Sequence, residues 1–247
     1  MKVRTALLSM IILLFSMLLS SCNQAKTANF PCDQEWDGGG KNNQISYAPD
    51  GSIIGVISER CVFFVDAKTL KPKFSFPSEY EIQSFAFSSN MDFIALLSDN
   101  DGIFLVDPKS GDILQSWSDE NSFGQLALSP GNDHILTNSM DGYLSVWNTK
   151  TRQIDSYYDT GIYNTPLTSI AFSTSGNLIA AGTNHGKIFV WEVQSGSLIN
   201  TINAHEGWVG ELLFTNDDTT LISYSDEAFI KIWDAYSGNL INTIDVF

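Results

Sequence analysis

The stretches Ile188-Phe189-Val190-Trp191 and Ile230-Lys231-Ile232-Trp233 stand 42 residues apart and read as one strand written twice. β-Branched and aromatic side chains dominate both, which suits a strand packed between two neighbouring sheets. A turn precedes strands of this kind at Asp101-Gly102, Asp141-Gly142 and His185-Gly186, where Gly supplies a positive φ without steric cost. Another follows at Ser110-Gly111, Ser195-Gly196 and Ser237-Gly238, each Gly five residues beyond the Val or Trp. Ile113-Leu114, Leu198-Ile199 and Leu240-Ile241 then begin a further strand. The unit is predicted to be four antiparallel strands joined by hairpins.

This unit recurs along the chain. An apolar residue closes its first strand at Tyr47, Phe87, Leu128, Phe172 and Phe214, in steps of 40, 41, 44 and 42 residues. A second marker follows each by 18 or 19 residues: Val65-Asp66, Val106-Asp107, Trp147-Asn148, Trp191-Glu192 and Trp233-Asp234. A period of about 40 is that of one propeller blade, a unit that must stack on its neighbours to bury its sheet faces. The expected fold is all-β, a β-propeller of about five four-stranded antiparallel blades spanning residues 42–247. The blades are placed at 42–80, 81–120, 121–162, 163–204 and 205–247.

The second marker resembles the Trp-Asp dipeptide of the WD-repeat β-propeller family, matched in full by Trp233-Asp234 and in the ring alone by Trp147 and Trp191. Ala204-His205-Glu206-Gly207-Trp208-Val209 resembles the Gly-His segment that precedes the inner strand in such repeats. The resemblance implies a buried hydrogen-bond network joining that His, an Asp of the next hairpin and the Trp. Asp141 holds the Asp position in a blade without the His, and blade five has Glu227 there, so the network reads as degenerate and packing is expected to carry the stability. Family rings usually have seven blades. Closure with five is favoured here over an incomplete ring completed by a second copy, as a homodimer, and over a piece of a longer protein.

The resemblance also implies docking on the face built by the loops that lead into the inner strands. Here those loops carry Tyr80, Phe123, Tyr163, Glu206 and Trp208. Trp208 is either the anchor of that surface, Trp being enriched where binding energy concentrates, or a ring packed on its own blade.

Upstream of the repeats, residues 1–21 have the layout of a secretion signal: Lys2 and Arg4, an apolar run over 6–19, then small residues. The run is short for a spanning helix. Leu19-Ser20-Ser21-Cys22 resembles the bacterial lipobox, which implies palmitate-type acylation of Cys22, removal of 1–21, and anchoring to the cell membrane or outer membrane by lipid alone. Residues 22–41 then form a tether ending in Gly38-Gly39-Gly40. With Cys22 acylated, Cys32 and Cys61 are left either as a disulfide or as two thiols, and an exported setting permits the bond.

Charge restricts the partners. The chain has 13 Lys+Arg against 28 Asp+Glu, a net charge of −15, which repels phosphate at long range and argues against nucleic acid. Catalysis by a propeller with channel-facing acids needs two carboxylates on the inner strands. Three residues before each inner-strand end stand Gln44, Ser84, Gln125, Ser169 and Glu211, one acid among five. His134, His185 and His205 fall in separate repeats, without metal-ligand spacing. Asp99, Asp101, Asp217 and Asp218 are read as turn residues rather than calcium ligands. The expectation is a binding protein with no cofactor, metal or catalytic residue, acting as a scaffold for a protein partner at the cell envelope. The alternative is a ligand-binding or glycan-hydrolysing propeller using Glu211 with loop carboxylates.

Overall fold

The computed structural model describes residues 44–58, 61–76, 80–99, 101–118 and 124–246. The leader at 1–21, the tether at 22–41, Cys22, Cys32 and Phe123 lie outside them. Within the described residues the chain is all-β, and each sheet contains four strands in sequence order. Blade one has β1 (Ile45–Tyr47), β2 (Ile53–Ser58), β3 (Cys61–Asp66) and β4 (Pro72–Phe76). Blade two has β5 (Ile82–Phe87), β6 (Ile94–Ser98), β7 (Gly102–Val106) and β8 (Ile113–Trp117). Blade three has β9 (Leu126–Leu128), β10 (His134–Asn138), β11 (Tyr143–Asn148) and β12 (Ile154–Asp159). Blade four has β13 (Leu167–Phe172), β14 (Leu178–Thr183), β15 (Lys187–Glu192) and β16 (Leu198–Asn203). Blade five has β17 (Val209–Phe214), β18 (Thr220–Ser225), β19 (Phe229–Asp234) and β20 (Leu240–Asp245).

The five apolar residues expected to end the first strands do end β1, β5, β9, β13 and β17. All strand pairs are antiparallel, and in every blade the fourth strand carries a bulge opposite the marker of the third, with Lys73, Leu114, Asp155, Ile199 and Ile241 as the extra residues beside Val65, Val106, Trp147, Trp191 and Trp233. An extra residue there increases the local twist, turning the outer strand across the blade.

The core lies mainly between blades, with one smaller cluster, Ile54, Val56 and Val65, made by blade one alone. Phe64, Phe85, Ile94 and Phe104 pack blade one on blade two; Leu97, Ile103, Leu126 and Trp147 join two to three. Leu136, Val146, Ile179 and Trp191 join three to four, and Ile188, Val190, Leu212 and Trp233 join four to five. Each marker ring therefore faces the preceding blade. Four interfaces of this kind explain why a strand such as β14 is buried along its whole length.

Turn geometry repeats as well. The residue five after each marker has a positive φ: Leu70 (55°), Gly111 (80°), Arg152 (62°), Gly196 (69°) and Gly238 (71°). At Gly186 (φ 73°) the requirement is steric too, since a Cβ would sit 1.8 Å from the carbonyl oxygen of His205.

Candidate interaction surface

Three of the five inner-strand positions from which channel chemistry was sought are engaged by the next blade. The Gln44 side chain donates from Nε2 to the Phe85 carbonyl (2.9 Å), and its Oε1 accepts from the Phe85 amide (3.0 Å). Ser84 Oγ accepts from the Leu126 amide (3.2 Å), and Ser169 Oγ donates to the Val209 carbonyl (3.1 Å). These side chains clamp one inner strand to the next. Glu211, the remaining acid, is held above the ordinary carboxylate range by desolvation.

Three of the aspartates weighed as calcium ligands, Asp101, Asp217 and Asp218, accept hydrogen bonds within turns or across a blade boundary. Asp217 accepts from Thr215 Oγ1 (2.7 Å) and from the amides of Thr219 and Thr220 (2.9 Å each), and those bonds hold its pKa well down. Asp218 reaches across the blade boundary to the Ser175 amide at 3.0 Å, and Asn132 makes the same reach to Ser89, at 2.8 Å. Asp101 accepts from Ser98 Oγ at 3.1 Å.

Blade five corrects one expectation. Its hydrogen-bond network is formed in part: Ser223 on β18 joins His205 Nε2 (2.8 Å) to the Trp233 indole N–H (2.9 Å), while His205 Nδ1, which would face the hairpin acid, is buried without a hydrogen-bond partner. Glu227 stands 3.9 Å from His205 Nδ1 and accepts from the Gly207 amide, so it ties down the loop that carries the His. Burial, and then the Lys231 cation, push the His205 pKa down. Blade three keeps only half of this arrangement, with the Trp147 indole donating to Thr137 Oγ1 at 3.2 Å. Ser223 and Thr137 were not singled out in the sequence; their signal is a hydroxyl on the second strand facing the marker ring.

The loops leading into the inner strands share one end of the blades with the hairpin turns around Asp141, His185 and Asp226. Tyr163 stands out furthest, 75% exposed, and Trp208 is 43% exposed with its ring over Gly210. Glu206, also exposed, stands between His205 and Trp208 in the chain. The Tyr143 phenol has its pKa raised by desolvation, by the Tyr163 hydroxyl and by Asp159, which places both tyrosines beside an acidic turn. Tyr80 is half-buried, its ring 5.1 Å from both Phe76 and Phe104 and packed against the core between blades one and two. Trp147, Trp191 and Trp233 are buried as structural rings.

At the opposite end, a cleft of about 360 Å³ between blades three and four is lined by Ser129, Asp133, His134, Asp155, Tyr158 and Ser175 among others. His134 spans it, 3.2 Å from Asp133 and 3.0 Å from Asp155, fastening a turn to the outer strand.

Residues 58–246 match the family described as "Nucleolar protein 10-like, N-terminal domain", and the chain belongs to that family of WD-repeat β-propellers. Among particular relatives, it is 26% identical over 192 residues to mouse "Periodic tryptophan protein 2 homolog", covering 60% of this chain and 21% of that protein. It is 27% identical over 153 residues to the "U3 small nucleolar RNA-associated protein 18 homolog" of Arabidopsis thaliana, covering 60% of this chain and 28% of that one. This chain therefore spans only about a quarter of the length of those relatives. Among solved structures, the β-propeller domain of Myceliophteria thermophila Cps50 (Swd1) superposes with a TM-score of 0.70 at 13% identity, over 83% of this chain and 72% of that one.

Proposed function

We propose that this protein is a non-catalytic interaction scaffold, held at a bacterial cell envelope by lipid on Cys22, that binds a protein partner through the loop face carrying Tyr163, Glu206 and Trp208. The observation that carries the reading is the exposure of two large aromatic rings on a face whose other side chains are mainly polar and acidic. Aromatic side chains that remain largely exposed at the rim of a rigid fold are suited to anchoring a partner. The net charge of −15 favours a basic contact surface on that partner. Support for the anchor comes from Lys2, Arg4, the apolar run and the Leu19-Ser20-Ser21-Cys22 sequence. The clamping of Gln44, Ser84 and Ser169 supports the absence of a catalytic pair, since Glu211 alone cannot act as both acid and nucleophile.

Photocrosslinking from position 163 or 208 in cells, followed by identification of the captured protein, tests the surface. One partner is expected from both positions, lost with Trp208→Ala. Different captures from the two positions, unchanged by Trp208→Ala, would remove this face from the account. Palmitate labelling abolished by Cys22→Ser tests the anchor, and labelling that persists would refute it.

A further inference from the structure

The rim of blade three gathers tyrosines and aspartates at the loop end. Antiparallel register sets Tyr143 of β11 opposite Asp159 of β12, and Ser145 opposite Tyr157, so that these side chains share one face of the sheet. Tyr157 is thereby the diagonal neighbour of Tyr143, at a spacing of about 7 Å that an aromatic side chain spans. Tyr157 is 64% exposed, Tyr163 is 75% exposed, and Tyr143 is half-buried. The Asp141-Gly142 turn lies against the loop that carries Tyr163. The Gly142 carbonyl accepts from the Thr160 amide at 3.3 Å, and a Cβ on Gly142 would meet the Ile162 carbonyl oxygen at 2.7 Å. Desolvation, then the Tyr163 hydroxyl and Asp159, hold the Tyr143 phenol above its ordinary pKa, with a smaller push from Asp141. Three rings and two carboxylates from the hairpin, the outer strand and the next loop therefore meet at one rim.

Among the described residues no cation of the chain answers these carboxylates. Asp141 and Asp159 are both exposed and neither is in an ion pair there. Asp159 gives Oδ1 to the Gly161 amide at 2.7 Å, which leaves Oδ2 to an incoming donor. Lys150 and Arg152, the Lys and Arg of blade three, stand beyond the far end of β12, roughly 17 Å along the strand. The same division runs along the stack. Lys68, Lys71, Lys109, Lys150 and Arg152 lie in the turns after the third strands, whereas the hairpins of the loop end carry Asp99, Asp101, Asp141, Asp226 and Glu227. A negative potential thus stands beside exposed phenol rings, whose faces are themselves electron-rich and attract cations.

We propose that this rim takes an arginine side chain of the partner, its guanidinium lying over the phenol rings and donating to Asp141 and Asp159. The inference rests on the scaffold reading and names the partner group that meets Tyr163. Arginine fits better than lysine for a geometric reason. A guanidinium is planar, so its face stacks on a ring while its N–H groups, directed in the plane, reach carboxylates at the ring's edge. An ammonium is a compact charge that stays strongly hydrated and makes the two contacts less well together. The exposed position of Tyr157 and Tyr163 leaves room for that stacking without any movement of the sheet.

Fluorescence anisotropy of a labelled peptide of arginines spaced by Gly-Ser, titrated with the full chain in mild detergent, tests this. The same peptide is made with lysine, and with neutral citrulline, in place of arginine. The arginine peptide is expected to bind about tenfold more tightly than the citrulline peptide and about threefold more tightly than the lysine one. Asp159→Asn, which keeps an oxygen for the Gly161 amide, should weaken binding about tenfold. Tyr157→Ala should weaken it about threefold, and Tyr157→Phe, which keeps the ring, should stay within about twofold of the wild type. Asp112→Asn makes the same change of charge at the opposite end and is expected to leave the affinity as it was. A wild type that binds no peptide, lysine or citrulline peptides bound as tightly as arginine, or equal losses from Asp159→Asn and Asp112→Asn would each overturn the proposal. Failure of the peptide while crosslinking from position 163 still captures a partner removes the arginine and leaves the scaffold; a bound peptide without any capture does the reverse.

Discussion

Arg152 has a φ of 62° in the turn after β11, where blades two, four and five have Gly. A left-handed conformation costs a non-glycine residue about 1–2 kcal/mol, offset in part by the larger unfolded-state entropy of Gly. Arg152→Gly is expected to raise stability by about 0.5–1 kcal/mol in urea unfolding, and a loss of stability would show that the turn is held by the Arg side chain. Ser223 is a sharper case, since its hydroxyl serves both His205 and Trp233. Ser223→Ala leaves two buried groups without their partner, each costing about 1–3 kcal/mol, and the unfolding midpoint should fall accordingly. The same His makes the fold acid-sensitive. Its folded pKa lies below the ordinary 6.5, so the unfolded ring takes up a proton first as the pH falls. Stability is full above that value and lost as the pH drops through it towards the folded pKa. His205→Gln should flatten this part of a pH-stability curve, whereas an unchanged slope would place the proton elsewhere. Asp66, Asp107 and Asp234, with pKa values lowered by their turn hydrogen bonds, add a second loss that begins below about 4.

Blades differ in what covers them, and this decides how much a side chain contributes. Val190 and Ile232 hold the same place on the third strands of blades four and five, yet Val190 is fully buried and Ile232 is not. Val190→Ala is expected to cost about 2 kcal/mol from lost burial and the cavity left behind. Ile232→Ala, although it removes more atoms, should cost under about 1 kcal/mol; equal losses in chemical denaturation would mean that the side of blade five carrying Ile232 is covered. Strand ends and markers were legible in the sequence because each is a local pattern of apolar residues followed by a turn. The turns at Leu70, Met91, Asn132, Arg152, Asp218 and Ala228 were less so, because their positive φ values are held by residues other than Gly. Contacts between repeats were hidden for another reason. Gln44 and Phe85 are 41 residues apart, and only stacking brings them together. Tyr80, a half-buried loop aromatic, has one side of its ring on the core, and its neighbours Phe76 and Phe104 come from different blades. Trp208 and Tyr163, on the surface, were readable from their place before an inner strand, since nothing downstream in the chain covers them.

At the scale of the whole molecule, sheets rather than a single interior core set the shape. Blades bury their faces mainly against the blades beside them, so the loop face, the clamps around the axis and the exposed side of blade five follow from the direction of stacking. The turns after the third strands mark that direction, at Thr69, Lys109, Lys150, Ser195 and Ser237, one exposed residue per blade. Spin labels placed on these positions in pairs, with distances read by double electron–electron resonance, test the stacking most directly. Blades turning about an axis predict near-equal steps between successive labels and a distance from Thr69 that stops growing by the last blade, so that Ser237 lies no farther from Thr69 than Ser195 does. Distances that increase in equal increments from Thr69 to Ser237 would mean an open row of sheets and would contradict the propeller.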